Sequence, residues 1–154
     1  MAVPGGFSFG DHLGSGRLMG NRLRFGLRNQ VRDFVKAGKP VIGICNGFQV
    51  LVKMGLLPGD DDVSLTQTAS LALNDSGHYE NRWATLEFNP DSHCIWIKDM
   101  TRIRVPVRHG EGKFVTSDKQ LLDEWEKAGQ LAVKYVDPST IYPSSSNDVL
   151  PYPI

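Results

Sequence analysis

A cysteine between two glycines is the feature of this sequence that most directly indicates chemistry. Gly43, Cys45 and Gly47 form a Gly-x-Cys-x-Gly pattern where a short apolar run, residues 41–44, meets the start of a helix. This is the nucleophile-elbow pattern with Cys in place of Ser, in which glycines remove side chains that would collide at a sharp, strained turn. The helix dipole there favours the thiolate, and the amide of Asn46 can donate to an oxyanion. The alternative is a buried structural cysteine, the usual state of a free Cys.

Residues 4–6, Pro-Gly-Gly, are a candidate for the second oxyanion-hole donor. They follow the end of a predicted strand, and glycine lets the backbone approach a ligand closely, so the amide of Gly6 could serve. The alternative is a plain tight turn. A phosphate-binding loop is disfavoured, because neither Gly-x-Gly-x-x-Gly nor a Lys-Ser/Thr ending is present.

Hydrophobic periodicity predicts the elements that must position these residues. Apolar residues at three- and four-residue spacing predict one helix over residues 17–37, stopped by Gly38 and Pro40. Residues 41–44 read as a buried parallel strand, and the next helix should end at Gly55. That helix should turn three apolar side chains inward, those of Phe48, Leu51 and Val52.

The second half of the chain is predicted to be richer in strands. Residues 60–76 resemble an exposed connection, and a helix is expected over residues 118–127. The tail from residue 137 is predicted to be a loop, and Cys94 is predicted to be a packed strand residue. Four strands are expected, at residues 82–88, 93–98, 102–107 and 131–136. Helices alternating with strands favour an α/β sheet.

Composition excludes several classes of protein. The chain has 154 residues, 40% hydrophobic and 22% charged, which suits one globular domain over residues 1–154. Lys and Arg together number 17, as do Asp and Glu, so nucleic acid and anionic membrane surfaces are disfavoured as partners. With no transmembrane run and no secretory signal, a cytoplasmic location is expected. The four histidines lack ligand spacing, so no metal site is expected.

Four motifs together resemble the glutaminase of phosphoribosylformylglycinamidine synthase, a class I glutamine amidotransferase of purine biosynthesis. They occur in the family's order, and the similarity covers essentially the whole chain. They are Pro-Gly-Gly-Phe-Ser-Phe-Gly-Asp at residues 4–11, Gly-Lys-Pro-Val-Ile-Gly-Ile-Cys-Asn-Gly-Phe-Gln at 38–49, Gly-Leu-Leu-Pro-Gly at 55–59 and His-Gly-Glu-Gly at 109–112. The resemblance implies a flavodoxin-like α/β fold, incomplete here, with a mainly parallel sheet and flanking helices.

The resemblance also implies roles for individual residues. Cys45 would attack the side-chain amide of glutamine to form a glutamyl thioester, and the amides of Gly6 and Asn46 would hold the oxyanion. Gln49 would face the bound glutamine, with a solvated helix residue as the alternative, while the loop at His109 and Gly110 would meet the amino-acid end of the substrate. The implied partner is the synthase subunit or domain of the same enzyme. That partner would use ATP and Mg, and this domain would need no cofactor.

The chain also departs from the family's pattern. The family's general base lies in a His-Pro-Glu segment, which these 154 residues do not contain. Together with a start on the end of a strand, this predicts a domain cut short at both ends. His109 and Glu111 have His-x-Glu spacing, but the resemblance places their loop upstream of the base. Three alternatives stay open: an amidotransferase glutaminase of which this chain is an incomplete piece, an inactive fragment or degenerate paralogue that keeps only a partner-binding role, and a more distant Cys-elbow protein. Whether the intact protein is a separate subunit or the C-terminal domain of a long synthase also stays open.

Overall fold

The computed structural model describes residues 1–137, so the tail predicted to be a loop beyond them lies outside the described part. These residues divide into two compact units, residues 1–71 with 114–117, and residues 72–113 with those from 118 onward. Among the described residues, no helix combines the length and the hydrophobicity needed to span a bilayer. The elements are β1 Ala2–Val3, α1 Arg17–Gly26, α2 Arg28–Lys36, β2 Ile42–Gly43, α3 Asn46–Lys53, β3 Ala69–Ala72, β4 Glu80–Phe88, a 3-10 helix Ile95–Ile97, β5 Arg102–His109, β6 Lys113–Thr116, α4 Lys119–Lys127 and β7 Val133–Val136.

Two short parallel strands lie at the start of the first unit. β1 and β2 pair with Ala2 opposite Ile42 and Val3 opposite Gly43. The Ile44 amide extends the pairing by donating to the Val3 carbonyl at 3.0 Å. The same unit holds a second two-stranded sheet, made by β3 and β6, which the sequence did not predict. The prediction of a strand at the end of residues 1–3 and of a parallel strand before Cys45 is therefore confirmed. The prediction that residues 41–44 are buried is wrong: residues 41–43 are half-buried and Ile44 is 56% exposed, because among the described residues β2 has a partner strand on one side only.

Helix α3 forms the centre of the first unit's core. Val50, Leu51, Val52 and Met54 are all buried, and the core continues into Leu65. The prediction that Leu51 and Val52 face inward is confirmed, but the same prediction is wrong for Phe48, whose residue is 37% exposed. Residues 50–52 are three successive buried positions, which is more than one face of a helix can hold. The rest of the unit therefore covers α3 on more than one side.

The helix predicted over residues 17–37 is two helices in the structure. α1 ends at Gly26, and Leu27 leaves the helical region with φ −127° and ψ 24° before α2 begins at Arg28. Gly26 supplies the reason, since glycine is a poor helix former and no neighbouring side chain packs on it here. The hydrophobic spacing continues across the break because both helices turn one face to the same core.

A three-stranded antiparallel sheet forms the second unit. β4 lies between β5 and β7, with Trp83 opposite Pro106 and Thr85 opposite Val136. Ala84 and Val107 are buried in its core, with Tyr135 packed against them. The expectation of a mainly parallel sheet is not met in this unit, where β4 pairs antiparallel with both β5 and β7. β4 and β5 follow each other without a crossover helix, so they pair antiparallel.

Residues 93–98 were predicted to be a strand, and this prediction is wrong. Asn89 Oδ1 accepts from the Asp91 amide, and Ser92 Oγ accepts from the Cys94 amide, so local hydrogen bonds replace sheet pairing. The 3-10 helix follows, with Cys94 at its N-cap rather than in a strand. The strands β4, β5 and β7 and the helix α4 lie within a few residues of their predicted positions, and Asp118 caps α4 by accepting from the Gln120 amide at 2.8 Å.

Buried Asn74 organises the loop at the end of β5. Its Nδ2 donates to the carbonyls of His109 and His78, and its Oδ1 accepts from the Gly112 amide at 3.1 Å and lies 2.9 Å from His109 Nδ1.

The two ring nitrogens of His109 have different partners. Tyr135 OH lies 3.5 Å from Nε2 of His109, whereas Nδ1 faces the Asn74 side-chain oxygen. A carbonyl oxygen only accepts, so His109 Nδ1 carries the proton and Nε2 can accept from the tyrosine. Burial lowers the pKa of His109 below 6.5, the charge of Glu80 opposing the shift.

Leu51→Ala should destabilise the protein far more than Phe48→Ala. Leu51 is 2% exposed, and its truncation leaves a cavity in the core cluster that also holds Val3 and Met54. Buried Leu→Ala changes cost about 2 to 5 kcal/mol. Chemical denaturation of both variants measures the difference, and equal losses would show that Phe48 is a core residue as first predicted.

Stability should fall as the pH is lowered through the ordinary range of histidine, and His109→Gln should reduce that dependence. The folded pKa of His109 lies below its unfolded value of 6.5, so its contribution is fully present above pH 6.5 and is lost as pH falls toward the folded pKa. Melting temperatures between about pH 7.5 and 5 test this. Exposed His12→Gln is the matched control, and an identical pH profile for wild type and His109→Gln would contradict the assignment.

Candidate active site

The backbone at Cys45 has the geometry of a nucleophile elbow. Cys45 lies between β2 and α3 with φ 56° and ψ −118°, a left-handed conformation that is strained for a residue with a side chain. Its side chain is exposed. The alternative of a buried structural cysteine is therefore wrong. The strained backbone conformation occurs at Cys45, the residue that the Gly-x-Cys-x-Gly pattern predicts as the nucleophile.

The two flanking glycines are required by close backbone contacts. A Cβ added to Gly47 would lie 1.8 Å from the Val3 carbonyl oxygen, far inside contact distance. One added to Gly43 would lie 2.7 Å from the Gly47 carbonyl oxygen. The first turn of α3 thus crosses directly over the end of β1. This crossing explains Gly47, and the close packing of the same turn on β2 explains Gly43.

The start of α3 places amide groups next to the thiol. The Gly47 amide donates to the Ile44 carbonyl at 2.9 Å, and the amides of Phe48 and Gln49 donate to the Cys45 carbonyl at 3.0 and 3.3 Å. Asn46 is the first helical residue, and the first N–H groups of a helix have no acceptor within it. This is the amide that the sequence predicted as an oxyanion donor.

The Pro-Gly-Gly turn lies against the nucleophile. A Cβ on Gly5 would be 3.1 Å from Cys45 Cβ and 3.5 Å from Cys45 Sγ, so this turn packs on the cysteine side chain. Gly6 follows with φ 116°, a conformation that favours glycine. The sequence singled out Gly6, whereas the structure adds Gly5 as the residue whose missing side chain makes room for Cys45.

A polar network runs beneath the elbow, from Asp11 through Asn46 to Gln49. Asn46 Nδ2 lies 3.3 Å from both carboxylate oxygens of Asp11 and donates to Gln49 Oε1 at 3.0 Å. Asn46 and Gln49 are both buried, so the alternative of Gln49 as a solvated helix residue is wrong. Asp11 belongs to the motif at residues 4–11, but the sequence predicted no role for it.

The first unit therefore brings together Cys45, Asn46, Gln49 and the turn at Gly5 and Gly6. His109 and Gly110 belong to the second unit, at the end of β5, where the Gly110 carbonyl accepts from the Asn74 amide at 2.9 Å. His109 Nδ1 lies 2.9 Å from Asn74 Oδ1, and Nε2 lies 3.5 Å from Tyr135 OH. In residues 1–137, no group of three or more His, Cys, Asp and Glu side chains is arranged to hold a metal ion.

Comparisons with known proteins agree with the motifs. Residues 1–148 match the family model of the CobB/CobQ-like glutamine amidotransferase domain. The chain is 44% identical to the phosphoribosylformylglycinamidine synthase subunit PurQ of Treponema denticola over 145 residues, covering 88% of this chain and 53% of that protein. It is 39% identical to the PurQ subunit of Archaeoglobus fulgidus, with coverages of 89% and 53%. The chain thus spans about half the length of the curated relatives it matches.

The fold comparison points the same way. A solved structure of PurLQS from Thermotoga maritima superimposes with a TM-score of 0.56 at 33% identity, covering 77% of this chain and 50% of that one. The shared architecture is the class I glutamine amidotransferase fold, here in its mixed α/β form. The chain belongs to the CobB/CobQ-like glutamine amidotransferase family, and within it is similar to the PurQ subunit of phosphoribosylformylglycinamidine synthase.

Proposed function

We propose that this chain carries the thiol half of a glutaminase that releases ammonia from the side chain of glutamine for phosphoribosylformylglycinamidine synthesis. The observation that carries the proposal is the strained, exposed Cys45 held between Gly43 and Gly47 at the start of α3. A structural cysteine needs neither the strain nor the exposure. Similarity to PurQ subunits supports glutamine as the substrate and purine synthesis as the context.

The proposed reaction begins with attack by the Cys45 thiolate on the amide carbon of glutamine. The C–N bond then breaks, and the departing nitrogen takes a proton to leave as ammonia. Water hydrolyses the resulting thioester, which yields glutamate and the free thiol. The amides of Asn46 and Gly6 would stabilise the negative oxygen of both tetrahedral intermediates. Gln49 would face the bound glutamine, and the loop at His109 and Gly110 would bind its amino-acid end.

The proposed partner is a synthase subunit that consumes the ammonia. The similar Thermotoga maritima structure is of PurLQS, which supports an assembly of this kind for the protein. In this proposal ATP and Mg act on the synthase, and the thioester chemistry needs no cofactor. The protein would then work as a separate subunit, as the PurQ relatives are named.

The 154 residues alone should hydrolyse glutamine poorly. The departing ammonia needs a proton, and a placed acid–base group is typically worth about 10² to 10⁴-fold. The sequence contains no His-Pro-Glu segment, and His109 is engaged by Asn74.

The experiment measures ammonia release by the purified chain, alone and with a PurL-type synthase, and by the Cys45→Ala variant under the same conditions. Rapid turnover abolished by Cys45→Ala would show that the general base lies within these residues. His109→Gln would then test the first candidate, whereas inertness in both settings would favour the partner-binding role.

A glutamine-like chloroketone should modify Cys45 and leave Cys94 unmodified. Cys45 sits exposed in the elbow, whereas Cys94 is half-buried at the N-cap of a 3-10 helix. Peptide mass spectrometry locates the adduct, with Cys45→Ala and Cys94→Ala as matched controls. Added glutamine should slow the labelling. Modification of Cys94 in preference to Cys45 would refute the assignment of the nucleophile.

A further inference from the structure

One carboxylate, that of Asp11, joins the glycine-rich loop (residues 5–16) to the first turn of α3. Its Oδ1 accepts a hydrogen bond from the Gly16 amide at 3.2 Å. Both of its oxygens lie 3.3 Å from Asn46 Nδ2. Asn46 is the residue after the nucleophile and carries the proposed oxyanion amide. Asp11 is therefore linked through one side chain to the residue on which the oxyanion site depends.

The glycine-rich loop contacts the elbow and α3 at three points. Gly5 packs on the Cys45 side chain, and Asp11 holds Asn46. Gly16, with φ 72°, packs so closely on α3 that an added Cβ would lie 2.6 Å from the Val50 amide nitrogen. The Gly14 amide donates to the Asp11 carbonyl at 2.9 Å and closes the turn between the last two points. Of these three contacts, the one at Asp11 alone is made by a polar side chain.

Hydrogen-bond chemistry fixes the direction of the network. A carboxylate only accepts, so Asn46 must present its NH₂ group to Asp11. The same NH₂ group donates to Gln49, which turns its oxygen toward Asn46. Asn46 is 1% exposed and Gln49 is 9% exposed, so water competes little for these bonds. Removing the carboxylate would release both amide side chains from this one arrangement.

We propose that Asp11 is a positioning residue, which acts through the Asn46 side chain to hold the Asn46 backbone amide and the Gly5–Gly6 turn in place around the thiol. The inference rests on the proposed function, because it gives these amides the task of stabilising an oxyanion. Asp11 is assigned no contact with substrate. Losing it should misplace an oxyanion donor without removing the donor or the nucleophile.

Two thiol reagents test the proposal on the full chain, one that uses the oxyanion site and one that does not. A glutamine chloroketone places its ketone oxygen where the oxyanion would develop, while the thiolate displaces chloride. Iodoacetamide alkylates the same thiolate by displacing iodide and needs no oxyanion hole. The ratio is taken between the chloroketone's rate constant at saturation and the rate constant of iodoacetamide at Cys45. Saturation removes the effect of weaker glutamine binding, so this ratio reports the oxyanion site and cancels changes in the amount of thiolate. A purely structural defect would change both rates or lower the melting temperature without changing the ratio.

Asp11→Ala should lower this ratio by at least about tenfold, short of the 10² to 10³-fold typical of losing an oxyanion donor outright. Asn46→Ala should lower it similarly, and the double variant should add little, because both break one link. Exposed Asp61→Ala is the matched control and should leave the ratio unchanged. An unchanged ratio in Asp11→Ala, or additive losses in the double variant, would overturn the proposal.

Exchanging the two side chains gives a stricter test. In Asp11→Asn/Asn46→Asp the amide and the carboxylate change places, so the bond between positions 11 and 46 can re-form and Asn at 11 still accepts from Gly16. The ratio should recover most of the loss seen in each single exchange. Failure of the exchange to recover more than either single variant would contradict a role that depends on this hydrogen bond.

The Asn46 amide resonance reports the positioning even if the protein is not a glutaminase. Its chemical shift and hydrogen-exchange rate should change in Asp11→Ala and stay unchanged in Asp61→Ala. Wild-type protein without preferential chloroketone labelling would contradict the proposed function. An Asn46 amide unaffected by Asp11→Ala would instead overturn the positioning role.

Discussion

The contact between Gly47 and the end of β1 is the constraint on which the first unit depends. A backbone without a Cβ at this position lets α3 start directly over the Val3 carbonyl, so only Ile44 and Cys45 separate β2 from α3. Cys45, the last residue before the helix, makes the turn with a positive φ. The close approach of α3 to the end of β1 therefore has two consequences. It requires glycine at position 47, and it leaves the backbone of Cys45 strained.

Support for that strained turn comes from both sides of α3. Below it, Val50, Leu51 and Met54 anchor the helix in the core, and such burial is the main source of helix stability in proteins. At its N-terminus, the side chain of Asn46 is held by Asp11 and Gln49 rather than by solvent. The apolar contacts fix where the helix lies, and the directional polar contacts fix the rotation of its first turn, where the amides are.

The second unit is organised by a polar residue instead of a large apolar core. Ala84 and Val107 are its central buried pair, and Asn74 supplies the hydrogen bonds that fold the loop at His109. Gly112 lies so close to the imidazole that an added Cβ would be 2.0 Å from His109 Cε1. The loop therefore closes so tightly over the His109 ring that the last position of the His-Gly-Glu-Gly motif has no room for a side chain.

The sequence by itself determined the elbow, because the helical period and the spacing of the glycines are local signals that can be read without knowing the fold. Cys45, its flanking glycines, the helix after them and most strands of the second unit were predictable for this reason. The break at Leu27 and the turns at residues 93–98 come from local features that hydrophobic spacing does not report, namely Gly26 and the side-chain hydrogen bonds of Asn89 and Ser92. Tertiary structure alone decided the pairing of β3 with β6, because the two strands are distant in the sequence. It also decided the role of Asp11, whose partner Asn46 is distant in sequence and brought near only when the glycine-rich loop packs on α3.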